Sequence, residues 1–371
     1  MANDARWMKR ALELAQRGIA LASPNPTVGA VLVKNGRVVG EGFHTYAGVK
    51  HAEVLALERA GKKARGATLY INLEPCCHIG RTGPCTDALI RAGVRGVVAA
   101  MKDPNPTVSG RGFARLRRGG VCVDVGLSKK EAKRLNEAFA KWIRTGLPFV
   151  TLKTAMTLDG KIAGPPALRK RGSVTWITSP ESRAEVQQMR HASDALLTGI
   201  GTVLADNPRL TDRTGKRRRR PLLRVILDSR LRLPLRSKLV RSTRGDVLIF
   251  TAANPESAKG RALRRAGVEV VRVRKRGSKL DLRAVLKELG RRGILSVMIE
   301  PGAKLFRAAF DADIVDKLVL FIAPRTIEGG VGIEVPALIR KGTGAKHEMT
   351  MRRCGPDLVM EGYRHDVYRD R

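Results

Sequence analysis

Apolar residues in the opening segment recur at helical spacing. Trp7, Ala11, Leu14 and Ala15 share a face, charged residues fill the positions between, and a helix over residues 3–18 is predicted. Ser23-Pro24-Asn25-Pro26 then breaks the chain. Residues 28–34 and 37–42 read as two strands turned at Asn35-Gly36, a dipeptide suited to the positive φ of a two-residue hairpin. The pattern next predicts a helix at 52–60 beginning on His51, and a buried strand at 68–73. A helix at 86–92, a strand at 96–100 and a helix at 112–118 follow. This alternation implies a three-layer α/β domain with a mixed sheet.

A helix over 129–144 and the break at Gly146-Leu147-Pro148 mark a domain boundary, giving domains 1–146 and 149–371. The second is again α/β. It opens at 149–155 and has strands at 195–198, 222–227, 247–251, 268–273, 296–299 and 317–322. No internal repeat relates the halves.

The chain has 371 residues, 43% of them hydrophobic, enough for two cores. No uncharged apolar run reaches the roughly 18 residues of a membrane span. Residues 1–21 lack the apolar core of a signal peptide. A cytoplasmic protein without membrane partners is expected. Five cysteines do not suggest a disulfide framework, and metal ligation in a reducing compartment explains them better.

The net charge of +37 raises the question of nucleic acid. Yet the excess is spread along the chain: about 25 Lys/Arg against 11 Asp/Glu in residues 1–146, and about 46 against 23 beyond. The densest run, Lys216-Arg217-Arg218-Arg219-Arg220, reads as a solvated loop. Only 4% of residues are aromatic, too few for base-stacking platforms. No specific nucleic-acid partner is expected. A positive field that gathers phosphorylated ligands, or a compositional bias toward Arg, explains the charge.

The chemistry is concentrated in His51-Ala52-Glu53 and in Glu74-Pro75-Cys76-Cys77-His78-Ile79-Gly80-Arg81-Thr82-Gly83-Pro84-Cys85. Catalytic zinc takes three protein ligands and keeps one position open. His51, Cys76 and Cys85 supply such a set. Glu53, two residues from His51 on a first helical turn, can enter the same pocket as proton shuttle without binding metal. This is the arrangement of zinc nucleobase deaminases, whose signature pairs H-x-E with P-C-x-x-C. Here the second Cys comes nine positions after the first, leaving 78–84 as a loop over the site. Two core cysteines and a helix-start His are the plain structural alternative. Cys77, Cys122 and Cys354 read as structural or incidental.

Over nearly its whole length the chain resembles the bifunctional riboflavin-biosynthesis family, a pyrimidine deaminase fused to a pyrimidine reductase. The resemblance rests on Pro24-Asn25-Pro26-Thr27-Val28-Gly29, the His51 and Cys segments above, and Asp103-Pro104-Asn105-Pro106. In the second half it rests on Lys153-Thr154-Ala155, Leu158-Asp159-Gly160-Lys161, Trp176-Ile177-Thr178, the segment from Gly201-Thr202 to Asp206-Asn207-Pro208, and Leu227-Asp228-Ser229. It implies a cytidine-deaminase-like domain followed by a dihydrofolate-reductase-like domain. The first would remove an amino group from a phosphoribosylated diaminopyrimidinone. His51, Cys76 and Cys85 would hold Zn2+, Glu53 would move the proton, and Asn25, His44, His78, Arg81 and Thr82 would meet ring or phosphate. Asn25 as a turn residue and Arg81 as a solvated side chain remain open alternatives.

The second domain would reduce the ribosyl chain to ribityl with NADPH. The resemblance puts Ala155, Trp176, Thr202, Asp206, Ser229 and Gly302 at the cofactor, and Arg190, Leu210, Arg213 and Glu300 at the substrate. Trp176 reads equally well as a core aromatic. No G-x-G-x-x-G motif opens a strand–helix unit, which disfavours a Rossmann domain. A homo-oligomer is expected. Two departures stand out: the family's Glu-Gly-Gly turn is Glu300-Pro301-Gly302, and its Ser before the Trp is Val174, with Ser173 displaced by one. A proline there removes a donor N–H, so a deaminase with a degenerate reductase domain is one alternative. A nucleic-acid deaminase is another, and a zinc-holding scaffold with His78 as fourth ligand is a third.

Overall fold

The computed structural model describes residues 2–165, 167, 176–333 and 349–368. Ser173 and Val174 lie outside these. Packing divides the chain into two units, Met1–Gly146 with Arg217–Arg220, and Leu147–Lys216 with Pro221–Arg371.

In the first unit, α1 (Ala2–Gln16) is followed by the hairpin of β1 (Gly29–Lys34) and β2 (Arg37–Phe43), then α2 (Ala52–Ala60) and β3 (Thr68–Ile71). After these come α3 (Cys85–Arg91), β4 (Gly96–Ala99), α4 (Arg111–Arg118), β5 (Cys122–Val125), α5 (Lys129–Leu135) and α6 (Glu137–Thr145). The strands form one mixed sheet in the order β2-β1-β3-β4-β5. The β1–β2 and β1–β3 pairs are antiparallel, the other two parallel. Asn35 and Gly36 have φ of 54° and 69°, as the hairpin requires.

On α1 the buried stripe is Met8, Ala11, Leu12, Leu14 and Ala15, while Trp7 stays at its margin. Helix α2 lies so close to β2 that a Cβ on Gly42 would come within 2.3 Å of the Ala52 carbonyl. That contact fixes the start of α2, where His51 and Glu53 sit. The single helix expected over 129–144 is two. Asn136 interrupts it and turns its amide to Thr27, accepting from the backbone N–H at 2.9 Å and donating to the carbonyl at 3.1 Å. Side-chain competition for backbone groups is the usual reason Asn breaks a helix. The run at 216–220 is not simply solvated. Within the first unit the Arg219 N–H donates to the Ala20 carbonyl at 2.9 Å, and its guanidinium lies 3.7 Å over the Tyr46 ring.

The second unit is built on nine described strands. They are β6 (Phe149–Thr157), β8 (Ala195–Gly199), β9 (Leu223–Leu227), β10 (Val247–Thr251), β11 (Val268–Arg272), β14 (Ser296–Ile299), β15 (Lys317–Ala323), β17 (Met349–Cys354) and β18 (Asp357–Tyr363). Short ribbons pair β7 (Lys161–Ala163) with β16 (Val331–Gly332), and β12 (Lys275–Arg276) with β13 (Lys279–Leu280). The sheet order is β11-β10-β9-β8-β14-β6-β15-β18-β17, with only β18 and β17 antiparallel to their neighbours.

Helices α11 (Leu282–Arg291) and α12 (Ala303–Asp311) pack against one apolar cluster with Val150, Leu152 and Phe250. Helices α7 (Pro180–Ala192), α8 (Ile200–Asp206), α9 (Lys238–Arg241) and α10 (Ala258–Arg265) pack against another with Ile226, Ile249 and Met298. The central strands are covered on both faces, which is why they read as nearly unbroken apolar runs.

Candidate active sites

In the first unit, His51 is the residue that caps α2 and Cys85 is the first residue of α3. Cys76 comes from the loop after β3. His51 Nδ1 lies 3.2 Å from Cys85 Sγ and 3.4 Å from Cys76 Sγ, and the Cys85 N–H points at Cys76 Sγ from 3.4 Å. All three ligand atoms lie within 4.8 Å of one another. Tetrahedral zinc with ordinary Zn–N and Zn–S bonds needs N···S and S···S separations of about 3.6 and 3.8 Å, so the donor set fits that ion. Cys85 shares its proton with Cys76, which pulls the Cys76 thiol well below its usual range and pushes Cys85 up. His51 is raised by its bond with Cys76, against the effect of burial.

Glu53 is buried in the first turn of α2. Burial pushes its carboxyl up to about 7, with the nearby His51 pulling the other way. His44 is buried too, and burial lowers its pKa, keeping the ring neutral. Its Nδ1 lies 3.0 Å from the Lys50 carbonyl, which only accepts, so Nδ1 carries the proton. Nε2 therefore accepts from Asn25 Nδ2 at 2.9 Å, leaving Asn25 Oδ1 as the amide's remaining acceptor. His44 also stands edge-on to His51, ring centroids 5.3 Å apart. Asn25 and His44 thus join the His51 site. His78 and Arg81 are exposed on the Cys loop, and Arg81 stacks over Tyr46 at 4.5 Å while donating to its carbonyl. Thr82 Oγ1 is buried without a hydrogen-bond partner.

One contributor escaped the sequence reading. The buried Glu74 carboxylate accepts the backbone N–H groups of Asp103, Gly110, Gly112 and Phe113 at 2.8 to 3.2 Å. It ties the start of the Cys loop to the loop before α4 and to the first turn of that helix.

In the second unit the expected residues gather around the C-terminal ends of parallel strands, where α/β sheets place ligands. Thr202 and Asp206 lie on α8 after β8, Ser229 follows β9, and Glu300 and Gly302 follow β14. Gly302 caps α12, with the Thr202 hydroxyl 3.5 Å from where its Cβ would be. Ala155 is half-buried on β6. Trp176 is no core aromatic: it is 53% exposed, with Arg183 stacked at 4.6 Å.

Arg190 and Glu300 form a bidentate pair at 2.8 and 2.6 Å, and Arg190 Nη1 donates to the Thr211 carbonyl at 3.0 Å. Burial opposes charge on Glu300, but Arg190, Lys153 and Arg213 outweigh it and hold the carboxyl below its usual range. Arg190 is mostly buried, with its guanidinium engaged by Glu300 and by the Thr211 carbonyl. Leu210 packs its side chain into the core, and Arg213 is exposed. Lys153, on β6, belongs to the same charged group. Burial lowers its pKa and Arg190 adds to that, while Glu300 opposes.

A family model for the cytidine and deoxycytidylate deaminase zinc-binding region matches residues 1–101, and one for the RibD C-terminal domain matches residues 148–356. The riboflavin biosynthesis protein RibD of Aquifex aeolicus is 43% identical over 330 residues, 89% of each chain. That of Escherichia coli is 41% identical over 374 residues, covering 96% of this chain and 98% of its own. The chain belongs to the RibD family.

Solved RibD structures share the fold. Acinetobacter baumannii RibD superposes with a TM-score of 0.83 at 36% identity, covering 98% of this chain and 99% of its own. A Thermotoga maritima protein described as a diaminohydroxyphosphoribosylaminopyrimidine deaminase/5-amino-6-(5-phosphoribosylamino)uracil reductase gives 0.82 at 36% identity with the same coverage. As a RibD protein, the chain is a bifunctional deaminase and reductase of riboflavin biosynthesis, with a cytidine-deaminase-like part before a dihydrofolate-reductase-like part.

Proposed function

We propose that residues 1–146 carry out the zinc-dependent hydrolytic deamination of a phosphoribosylated diaminopyrimidinone, and residues 149–371 the NADPH-dependent reduction of its ribosyl chain to ribityl. The observation that carries the first assignment is the convergence of His51, Cys76 and Cys85 beside the buried Glu53. Zinc held by those three side chains would supply the Lewis acidity that makes water nucleophilic near neutral pH. Glu53 takes a proton from the attacking water at a carboxylate oxygen and returns it to the departing amino nitrogen, which leaves as ammonia. A carboxyl raised to about 7 suits both halves of that transfer. Asn25 Oδ1, held in place by His44, accepts from a ring N–H or amino group. Arg81, on the loop over the site, meets the phosphate, and His78 lies on the same loop.

For the reduction, NADPH supplies the hydride. The first N–H groups of α12 at Gly302 and the Thr202 hydroxyl suit its phosphates. The exposed Trp176 ring, Ala155, Asp206 and Ser229 complete the cofactor contacts. Arg213 takes the substrate phosphate. Lys153, with its ammonium made easier to deprotonate, and the ionised Glu300 face the ribosyl end. Thiolate ligation favours a reducing compartment, the cytoplasm. Among the described residues no helix is long and apolar enough to cross a membrane.

The test is to incubate the purified chain with the phosphoribosylated diaminopyrimidine, with and without NADPH. Ammonia release in both, and NADPH oxidation only after deamination, is the expected result. Cys76→Ala or Cys85→Ala should lose both zinc and ammonia release, and full zinc retention in either would remove the ligand assignment.

A further inference from the structure

The loop over residues 207–216 carries Arg213, and the chain secures it to an unusual degree. Leu210, a bulky residue, sits at φ 55°, a left-handed conformation that such side chains avoid. Strain of this kind persists only where the surroundings over-determine it, and it collects at functional sites. Here buried cations hold both flanks. Arg224, almost wholly buried, donates from Nη1 to the Arg209 carbonyl at 3.0 Å, and Arg190 holds the Thr211 carbonyl at 3.0 Å.

The next residue is held by a different pair. His191 Nδ1 lies 2.9 Å from Asp212 Oδ2, with both side chains less than a tenth exposed. The other Asp212 oxygen accepts from the Thr214 N–H at 2.9 Å and its hydroxyl at 2.8 Å, closing a turn around Arg213. The Arg213 N–H itself donates to Gln187 Oε1 at 3.1 Å. Its guanidinium is left exposed, close enough to Glu300 to stabilise that carboxylate. One face of α7, through Gln187, Arg190 and His191, thus fixes the backbone on either side of Arg213.

We infer that His191 and Asp212 are positioning residues for the reductase reaction, clasping the 207–216 loop so that Arg213 meets the substrate phosphate in one orientation. The inference deepens the reductase reading above and rests on Arg213 contacting substrate. A preorganised cation loses less freedom on binding, so the clasp acts on substrate affinity and not on hydride transfer.

The test uses the full chain, the deaminated intermediate as substrate, and steady-state reductase kinetics beside NADPH titration and melting curves. His191→Ala is expected to raise KM for the pyrimidine about tenfold. The kcat and NADPH Kd should stay within about twofold. His191→Asn should recover most of the loss, because its amide nitrogen takes the place of Nδ1. Asp212→Asn should raise KM as His191→Ala does, even if the alanine variant folds poorly. An unchanged KM in both His191→Ala and Asp212→Asn would overturn the inference. So would a fall in kcat and NADPH affinity that Asn fails to restore, which would mark a merely structural role. Arg213→Ala separates the two levels. If it leaves KM unchanged, the phosphate reading fails and the clasp with it; if it raises KM while His191→Ala does not, only the clasp fails.

Discussion

Glu74 Oε1 accepts the Gly112 N–H at 2.9 Å, and the two residues lie so close that a Cβ on Gly112 would meet the Pro75 carbonyl at 2.2 Å. The Cys loop therefore starts from a fixed point, set by one carboxylate satisfying four backbone donors. A glutamine at this position offers a single acceptor oxygen and turns N–H against N–H.

Glu74→Gln should destabilise the protein by about 3 kcal/mol, the order expected when buried donors lose their acceptor. Gly112→Ala should act in the same direction through the clash with Pro75. Both should reduce zinc content in proportion. Chemical denaturation and metal analysis check this. Unchanged stability with full zinc in both variants would show that the loop is held by other means.

Pro301 bears on NADPH. The proline removes one N–H immediately before the N-terminus of α12. A charge-assisted hydrogen bond contributes roughly 1.5–3 kcal/mol. Pro301→Gly should therefore tighten NADPH about ten- to hundredfold. The many arginines can partly compensate, in which case binding weakens as salt rises. Titrations at low and high salt decide between these. Equal, tight, salt-insensitive binding in both proteins would mean the turn never needed that donor, and no binding in either would point to a degenerate reductase domain.

The Arg190–Glu300 pair sets up a further expectation. Both side chains are mostly buried and bonded through two hydrogen bonds. Glu300→Ala removes the carboxylate that bonds the Arg190 guanidinium, and breaking a buried pair in this way costs about 3–5 kcal/mol. Reductase turnover should vanish and the second unit should melt earlier, while ammonia release continues. A variant with wild-type melting would show that Arg190 has other adequate partners.

Much of this was legible in the sequence, for identifiable reasons. The Asn35-Gly36 hairpin and the apolar central strands follow from local rules of turn and pattern. His51, Cys76 and Cys85, which the fold brings together, were legible because metal ligation limits residue types and spacing. What escaped depends on long-range partners. Nothing near Asn136 announces that its amide will seek Thr27 and split a helix. In the sequence Glu74 reads only as part of a Cys motif, because its four donors lie 29 to 39 residues further on. The β17–β18 hairpin was missed because five of the six β17 residues are exposed, leaving no apolar alternation to read. Lys153 and His191 lie in strand and helix patterns that only the tertiary fold brings to Glu300 and Asp212.

The most direct test is Glu53→Gln. Glutamine keeps the shape of the side chain but cannot carry the proton, and Glu53 is not among the three proposed zinc ligands. The variant should hold about one zinc per chain and reduce the deaminated intermediate normally. Its ammonia release should fall by about 10²- to 10⁴-fold, the range typical of a general acid–base group. Ammonia release near the wild-type rate, in a variant that still holds its zinc, would contradict the proton-shuttle role.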